Sequence, residues 1–423
     1  MKNIIKVSDT KDYFEKNGEP FFYFADTVWS AFYNAPLEEW AEYLDYRKAQ
    51  GFNVLQIIVL PIKHDASASN ISIDPFHVKE NGNYNFYKIN QDYFKRACEM
   101  LNMAVERNFV PALAPLWFCH VISGEDSDSV IPLDAVKDYI TYIVKTFQKY
   151  NPIYIVSGDS WFQKEEYKFY WIEIETIKEL CPDSLTAMHL NPHTNIPEEF
   201  LNSPLVDIVL YQSGHGVDNG IETQELPYKF AEYYYSKPVK RPIVNGEPCY
   251  EGAGYAYKYG RFKESDVRKA IWQSLLSGAK AGVTYGAHGI WSWHKKGSYY
   301  SGTEFLGTPY DWRTALRFKG AWDAAYAKYI FETYKLFDLE PENCVLNKTE
   351  EIRMSFSKDR NTMVIYAPFN VNIELDVDIR EYNLILFDLE NRWVAKPEIC
   401  SKDGKSTITM HGFNSDVLII GTK

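Results

Sequence analysis

Up to about residue 335 the chain alternates short apolar runs, rich in β-branched and aromatic residues, with longer amphipathic stretches. The short runs are FFYFAD (21–26), NVLQIIVL (53–60), FVPALAPLW (109–117), IYIVSGD (153–159), LTAMHL (185–190), DIVLYQSG (207–214), PIVNGEP (242–248) and GVTYGAHGIWSW (282–293). Between and after them lie stretches with helical spacing of apolar residues: 36–51, 91–108, 132–150, 168–180, 197–202, 222–236, 264–278 and 312–335. The first opens at Pro36 and stops at Gly51, an arrangement suited to a helix start and stop. Eight strands alternating with eight helices predict an α/β fold, a closed (β/α)8 TIM barrel. The alternative, a doubly wound open sheet, loses its best support because neither GxGxxG nor GxxxxGK[ST] follows the first run.

Around 339–343 the texture changes. Short alternating segments follow, IRMSF, TMVIYAPF, IELDVDI, YNLILFDL, STITMH and DVLIIG, separated by turn clusters such as KDRN, SKDG and FNSD. They predict a small antiparallel β-sandwich, giving a barrel domain over 1–338 and a sandwich domain over 339–423.

Two of the apolar runs end alike. The fourth and the seventh each carry a β-branched strand into a Gly and then a carboxylate, Asp159 and Glu247. One acid at a strand end is more often a helix cap or an ion-pair partner. Two in matching contexts, on strands of one barrel, share the rim where such folds hold their chemistry. Two converging acids are the minimum equipment for cleaving a glycosidic bond. Glu251 competes with Glu247 inside GEPCYEG, but Glu247 ends the strand directly, so Glu251 is expected to position a hydroxyl or an Arg.

Composition sharpens the substrate. The 32 Tyr, 25 Phe and 11 Trp supply flat faces suited to the C–H faces of sugars, beyond what the core consumes. Candidate substrate-binding residues at the same rim are Asp26 and Trp29 near the first run, Trp117 and His120 after the third, Gln212 and His215 after the sixth, Tyr250 and Glu251 after the seventh, and His288 and Trp291 in the eighth. A net charge of −12 with scattered Lys and Arg argues against nucleic acid or an anionic membrane and favours a neutral partner, an oligosaccharide. There is no HExxH and no GxSxG, so neither a metal nor a serine nucleophile is expected, and no cofactor. The six cysteines are widely spaced, and no apolar stretch at the start is long enough for a signal peptide. The expected compartment is the reducing cytoplasm.

As a set, the motifs FFYFADTVW, GFNVLQIIVL, SGD at Asp159, YQSGHG (211–216), VNGEPCYEG and DVRKAIWQSLLSGAKAGVTYGAHGIW (266–291) resemble the apiosidase-like catalytic domain, glycoside hydrolase family 140, over residues 15–335. Residues 340–423 resemble that family's β-rich carboxyl-terminal domain, which carries a collagen-binding label that nothing in the segment supports. The resemblance implies a retaining glycosidase of the clan A type acting on plant-polysaccharide fragments, with terminal apiose or another pentose. Asp159 matches the general acid/base and Glu247 the nucleophile. Such an acid must hold its proton near neutrality, and the charge of Glu247 and the apolar neighbours Trp161 and Phe162 are expected to raise its pKa. The implied carboxyl separation is about 5–5.5 Å. Two departures stand out. Gly158 occupies the place of the Asn that commonly precedes the acid in the clan, and Ser157 the first Gly of the family's usual GGD. Rival readings are a carbohydrate-binding barrel without turnover, and a sugar lyase or isomerase. Products separate the three.

Overall fold

Eight parallel strands, almost every residue of them buried, form the centre of the molecule: β1 (Tyr23–Thr27), β2 (Val54–Ile58), β3 (Val110–Ala114), β4 (Ile153–Ser160), β5 (Thr186–Leu190), β6 (Ile208–Gln212), β7 (Ile243–Glu247) and β8 (Gly282–Tyr285). In this computed structural model, which describes residues 5–62, 71–122, 130–192, 194–215, 217–218, 221–255, 260–300 and 303–423, sequential strands are hydrogen-bonded neighbours and β8 pairs β1 to close the barrel. Strands covered by side chains within and helices without have no polar face, which is why they read as continuous apolar runs.

The outer ring is α1 (Leu37–Ala49), α2 (Gln91–Glu106), α3 (Leu133–Phe147), α4 (Lys164–Leu180), the short α5 (Glu198–Leu201), α6 (Leu226–Tyr235), α7 (Glu264–Leu275) and α8 (Gly320–Thr333). α3 shows the logic: Val136, Tyr139, Ile140, Ile143, Val144 and Phe147 recur at helical spacing and are buried. α1 begins after Pro36, and Gly51, at φ 85°, turns the chain out of it.

Several elements differ from the sequence reading. The eighth run is a strand only to Tyr285, and residues beyond it form turns over the barrel mouth. Before β1 lies a three-stranded meander, Ile5–Val7, Phe14–Lys16 and Glu19–Phe21, and a hairpin of Phe76–Val78 with Tyr84–Ile89 follows β2. Four of these five strands have only three residues, too short to leave a period in sequence. Among the described residues no helix is long and apolar enough to cross a membrane.

The carboxyl-terminal strands are β9 (Leu339–Pro341), β10 (Arg353–Ser357), β11 (Thr362–Ala367), β12 (Ile373–Leu375), β13 (Asn383–Asp388), β14 (Val394–Ala395), β15 (Ile399–Lys402), β16 (Lys405–Ile408) and β17 (Val417–Thr422). They form a six-stranded antiparallel sheet, β9-β10-β11-β17-β13-β14, and a three-stranded one, β12-β16-β15. The larger sheet is the middle layer. Along β11, Met363, Ile365 and Ala367 face the smaller sheet, while Val364 and Tyr366 join the barrel's own apolar cluster. Arg268 of α7 fastens the layers: it is buried against Asp416 at 2.8 Å, just before β17, and against Asp323 of α8 at 2.9 Å.

Candidate active site

Asp159 and Glu247 both leave their strands at irregularities. β4 pairs β5 as Val156↔Met188 and then Ser160↔Leu190, so Ser157, Gly158 and Asp159 stand opposite the single His189. Between β6 and β7, Tyr211 pairs Asn245 and Gln212 pairs Glu247, with Gly246 left over. Such bulges re-aim the side chain that follows. Ser157 at φ 75° and Asp159 at φ 47° are held in the left-handed region, which costs a non-glycine residue free energy. Ser157 offsets part of that by donating its hydroxyl to the His189 carbonyl at 2.6 Å, so Ser serves where the resembling family has Gly. Gly158 has no such latitude, because a Cβ there would lie 1.8 Å from the Trp117 ring. The Asn common in the clan does not fit. On the other strand, the Gly246 carbonyl accepts from Gln56 Nε2 at 2.9 Å, and Gln56 in turn accepts from Tyr23 and Thr284 inside the barrel.

The bulges bring the two acids together. A carboxyl oxygen of Asp159, one of Glu247 and a ring nitrogen of His189 all lie within 4.8 Å of one another. Glu247 Oε2 accepts from His189 Nε2 at 3.0 Å, and Oε1 accepts from His215 Nε2 at 2.9 Å and from the Tyr250 hydroxyl at 2.6 Å. The Tyr250 hydroxyl is itself held by Trp29 Nε1 at 2.8 Å. Burial alone would raise the pKa of Glu247, but these donors and the histidine charges overcome it and hold the carboxyl well below the usual carboxylate range. Asp159 is placed oppositely. Among the described residues it accepts one bond of ordinary length, from Trp117 Nε1 at 3.2 Å to Oδ2, and its buried Oδ1 has no partner. Burial first, and the charge of Glu247 second, push its pKa up to about 7. Two carboxyl groups side by side are thus poised with one protonated and one ionised.

Of the residues singled out in sequence, Trp29, Trp117, Gln212, His215 and Tyr250 gather with Asp159 and Glu247. The rings of Trp29 and Trp117 pack 5.1 Å apart, and Gln212 reaches Asp159. Asp26 does not join them: it points outward from β1 into a buried ion pair with Arg47 of α1 at 2.6 Å and a bond from Tyr43. Glu251 also turns away, accepting from the Tyr285 hydroxyl at 2.6 Å and the Gly320 N–H at 2.9 Å. His120 braces its own loop, bonding the Pro61 carbonyl at 2.9 Å and the Trp117 N–H at 3.2 Å. His288 contacts the Gly307 carbonyl at 2.7 Å and accepts from Trp291 Nε1 at 3.1 Å, so this pair braces a rim loop. The expected apolar neighbours of the acid are likewise corrected: Trp161 is 41% exposed, and Phe162 packs on Tyr167, Tyr170 and Phe200. Gly216, at the end of the 211–216 motif, lies outside the described residues.

Sequence reasoning missed His189 and Gln56. Each was visible as a polar residue inside a largely apolar run, LTAMHL and NVLQIIVL. The spacing of Asp159, His189 and Glu247 would suit a cation, but both nitrogens of His189 already face oxygen acceptors, Glu247 and the Leu210 carbonyl at 3.3 Å.

A parallel eight-stranded barrel with paired carboxyl groups at its carboxyl rim is the architecture of a glycoside hydrolase, and comparison with known proteins puts the chain in that class. The chain belongs to the family described as apiosidase-like, catalytic domain, whose profile matches residues 8–338. Among solved structures it is similar to a glycoside hydrolase at 20% identity and TM-score 0.81, covering 100% of this chain and 97% of the other. It is similar too to a glycoside hydrolase family 5 protein from Bacteroides vulgatus ATCC 8482, at 18% identity and TM-score 0.82, covering 99% and 93%. Both likenesses concern the fold. No curated protein sequence matches the chain.

Proposed function

We propose that the protein is a retaining glycosidase, with Glu247 as nucleophile and Asp159 as general acid/base, acting on oligosaccharides derived from plant polysaccharide that end in apiose or a related pentose. The spacing of the two acids carries this reading. One oxygen of each lies within 4.8 Å of the other, closer to the about 5–5.5 Å between carboxyl groups of retaining enzymes than to the about 6.5–9.5 Å of inverting ones, and this supports retention.

The chemistry follows from the two protonation states. Ionised Glu247 attacks the anomeric carbon as the glycosidic C–O bond breaks, and the leaving oxygen takes the proton of Asp159. Asp159, now ionised, accepts a proton from water as that water attacks the same carbon and frees Glu247. Trp29 and Tyr250 fix the orientation of the attacking carboxylate through their chain of hydrogen bonds. The pentose rests on the family name alone.

The test is the first-formed anomer, followed by NMR during hydrolysis of an aryl apioside. Retention is expected, whereas inversion or an unsaturated product defeats the proposal. Glu247→Ala should abolish turnover with the fold intact. Asp159→Ala should cripple substrates with poor leaving groups and largely spare activated aryl glycosides, because an activated group departs without protonation.

A further inference from the structure

His189 has a feature that neither acid explains. Its ring is fully buried and both nitrogens face oxygens, Nε2 to Glu247 Oε2 at 3.0 Å and Nδ1 to the Leu210 carbonyl at 3.3 Å. A carbonyl can only accept, and so can an ionised carboxylate, so both nitrogens carry hydrogen. These are the contacts of an imidazolium, and the ring packs against the indoles of Trp29 and Trp117 with centroids at 5.6 and 5.5 Å, the kind of aromatic surface that tolerates a cation. The titratable groups facing it are Glu247 from β7 and Asp159 from β4, with His215 and Tyr250 lying beyond Glu247.

We propose that His189 is a positioning residue that keeps its positive charge through the whole reaction and changes partner from Glu247 to Asp159 between the two steps. This rests on the roles given above to those two acids. In the resting site the charges are Glu247 minus, His189 plus and Asp159 neutral. When a Glu247 oxygen bonds the anomeric carbon and the Asp159 proton leaves with the departing oxygen, Glu247 becomes a neutral ester and Asp159 becomes the anion. The sum over these three groups is unchanged, and His189, which faces both acids, has a ring nitrogen within 4.8 Å of the new carboxylate. Water then bonds the carbon, gives its proton to Asp159, and the ester bond returns its electrons to Glu247. Without His189 the anion of each state loses a cation that faces it, and Asp159 would ionise less readily. Hydrogen bonding and the charges of Glu247 and Asp159 raise the His189 pKa although burial alone would lower it, in keeping with a ring that stays protonated.

Two measurements test this. Nitrogen NMR of the ¹⁵N-histidine-labelled enzyme, with no substrate present and the signal assigned by its loss in His189→Gln, should show both His189 nitrogens protonated and unmoved from about pH 5 to 8, well past the ordinary titration of about 6.5. A ring with one bare nitrogen in that range overturns the proposal, and does so whatever the substrate proves to be. Secondly, turnover of an activated aryl apioside, limited by release of the sugar from Glu247, should lose activity on the acid side earlier in His189→Gln. Its acid-limb pKa should rise by about one unit or more, a tenfold change in the ionised fraction of Asp159. A slower variant whose limb has not moved makes His189 merely structural and also overturns it. Absence of turnover in the wild-type enzyme would instead defeat the assignment of the two acids, leaving the NMR result to stand alone. Should His189→Gln fail to fold, the wild-type ring, assigned instead by its contacts to Trp29 and Trp117, still decides.

Discussion

The Gly before Asp159 is expected to be indispensable, and the size of the effect can be worked out. In Gly158→Ala the new Cβ would stand 1.8 Å from Trp117 Cε3 and 2.1 Å from Cζ3. Carbon atoms in contact sit about 3.5–4.0 Å apart, so the indole must retreat by about 1.7 Å. Trp117 is 1% exposed and wedged against Trp29 and His189, so it has nowhere open to go. Overpacking of this kind costs about 1–3 kcal/mol of stability. The same retreat breaks the 3.2 Å bond from Trp117 Nε1 to Asp159 and displaces the acid, and a shift of about 1 Å at a reacting group costs about 100-fold in rate. Gly282→Ala is the control. Its Cβ would meet the Tyr23 carbonyl at 2.0 Å, an equally severe clash, at the first residue of β8, the end of the barrel away from the two acids. Both variants should unfold earlier in urea, but kcat/KM per folded molecule should fall about 100-fold only in Gly158→Ala. A folded Gly158→Ala enzyme with unchanged kcat/KM, or equal losses in the two variants, would refute the reasoning.

Two further outcomes are expected. As pH rises through about 7, Asp159 loses the proton that the proposed mechanism donates, so kcat/KM should fall on that side with an apparent pKa near 7. On the acid side Glu247 stays ionised well below the ordinary Glu pKa of about 4.3, so no limb should appear until the profile passes beneath that value, and a limb between about pH 4.3 and 6 would contradict the hydrogen-bond assignment. Arg268→Ala leaves Asp416 and Asp323 buried without their shared cation, which should cost about 3–5 kcal/mol in urea denaturation while kcat/KM of the folded enzyme is kept; a loss below about 1 kcal/mol would show the two layers to be held by apolar packing alone.

The barrel was legible because burial on both faces removes polar positions from each strand, leaving eight plain apolar runs between amphipathic helices. The carboxyl-terminal sheets were legible as β-structure but not in their layering. Alternation along TMVIYA says that a strand has two faces, and both are apolar, yet only the structure shows that one face meets the barrel. The direction of a polar side chain at a strand end was the least legible feature. Asp26, Glu247 and Glu251 are all acids beside a strand terminus, and only Glu247 enters the site.

Pleating explains that difference, and the glycines record it. Side chains alternate between the faces of a strand. In β1, which pairs β2 without interruption, Thr27 stands opposite Gln56, inside the barrel, so Asp26 faces outward to Arg47. By the same count Glu247 should face outward too, since Asn245, two residues earlier, bonds Ser274 on α7. The extra residue Gly246 breaks the count and turns Glu247 to the mouth of the barrel, and its missing Cβ leaves room for Leu210, which would otherwise be 2.3 Å away. Ser157 and Gly158 do the same for Asp159. A Gly inside a strand pattern marks a bulge or a close approach, so the paired Gly–carboxylate signature carries more than two acids at strand ends. It marks the two places where the pleat is broken, and the break is what turns both carboxyl groups toward each other at the mouth of the barrel.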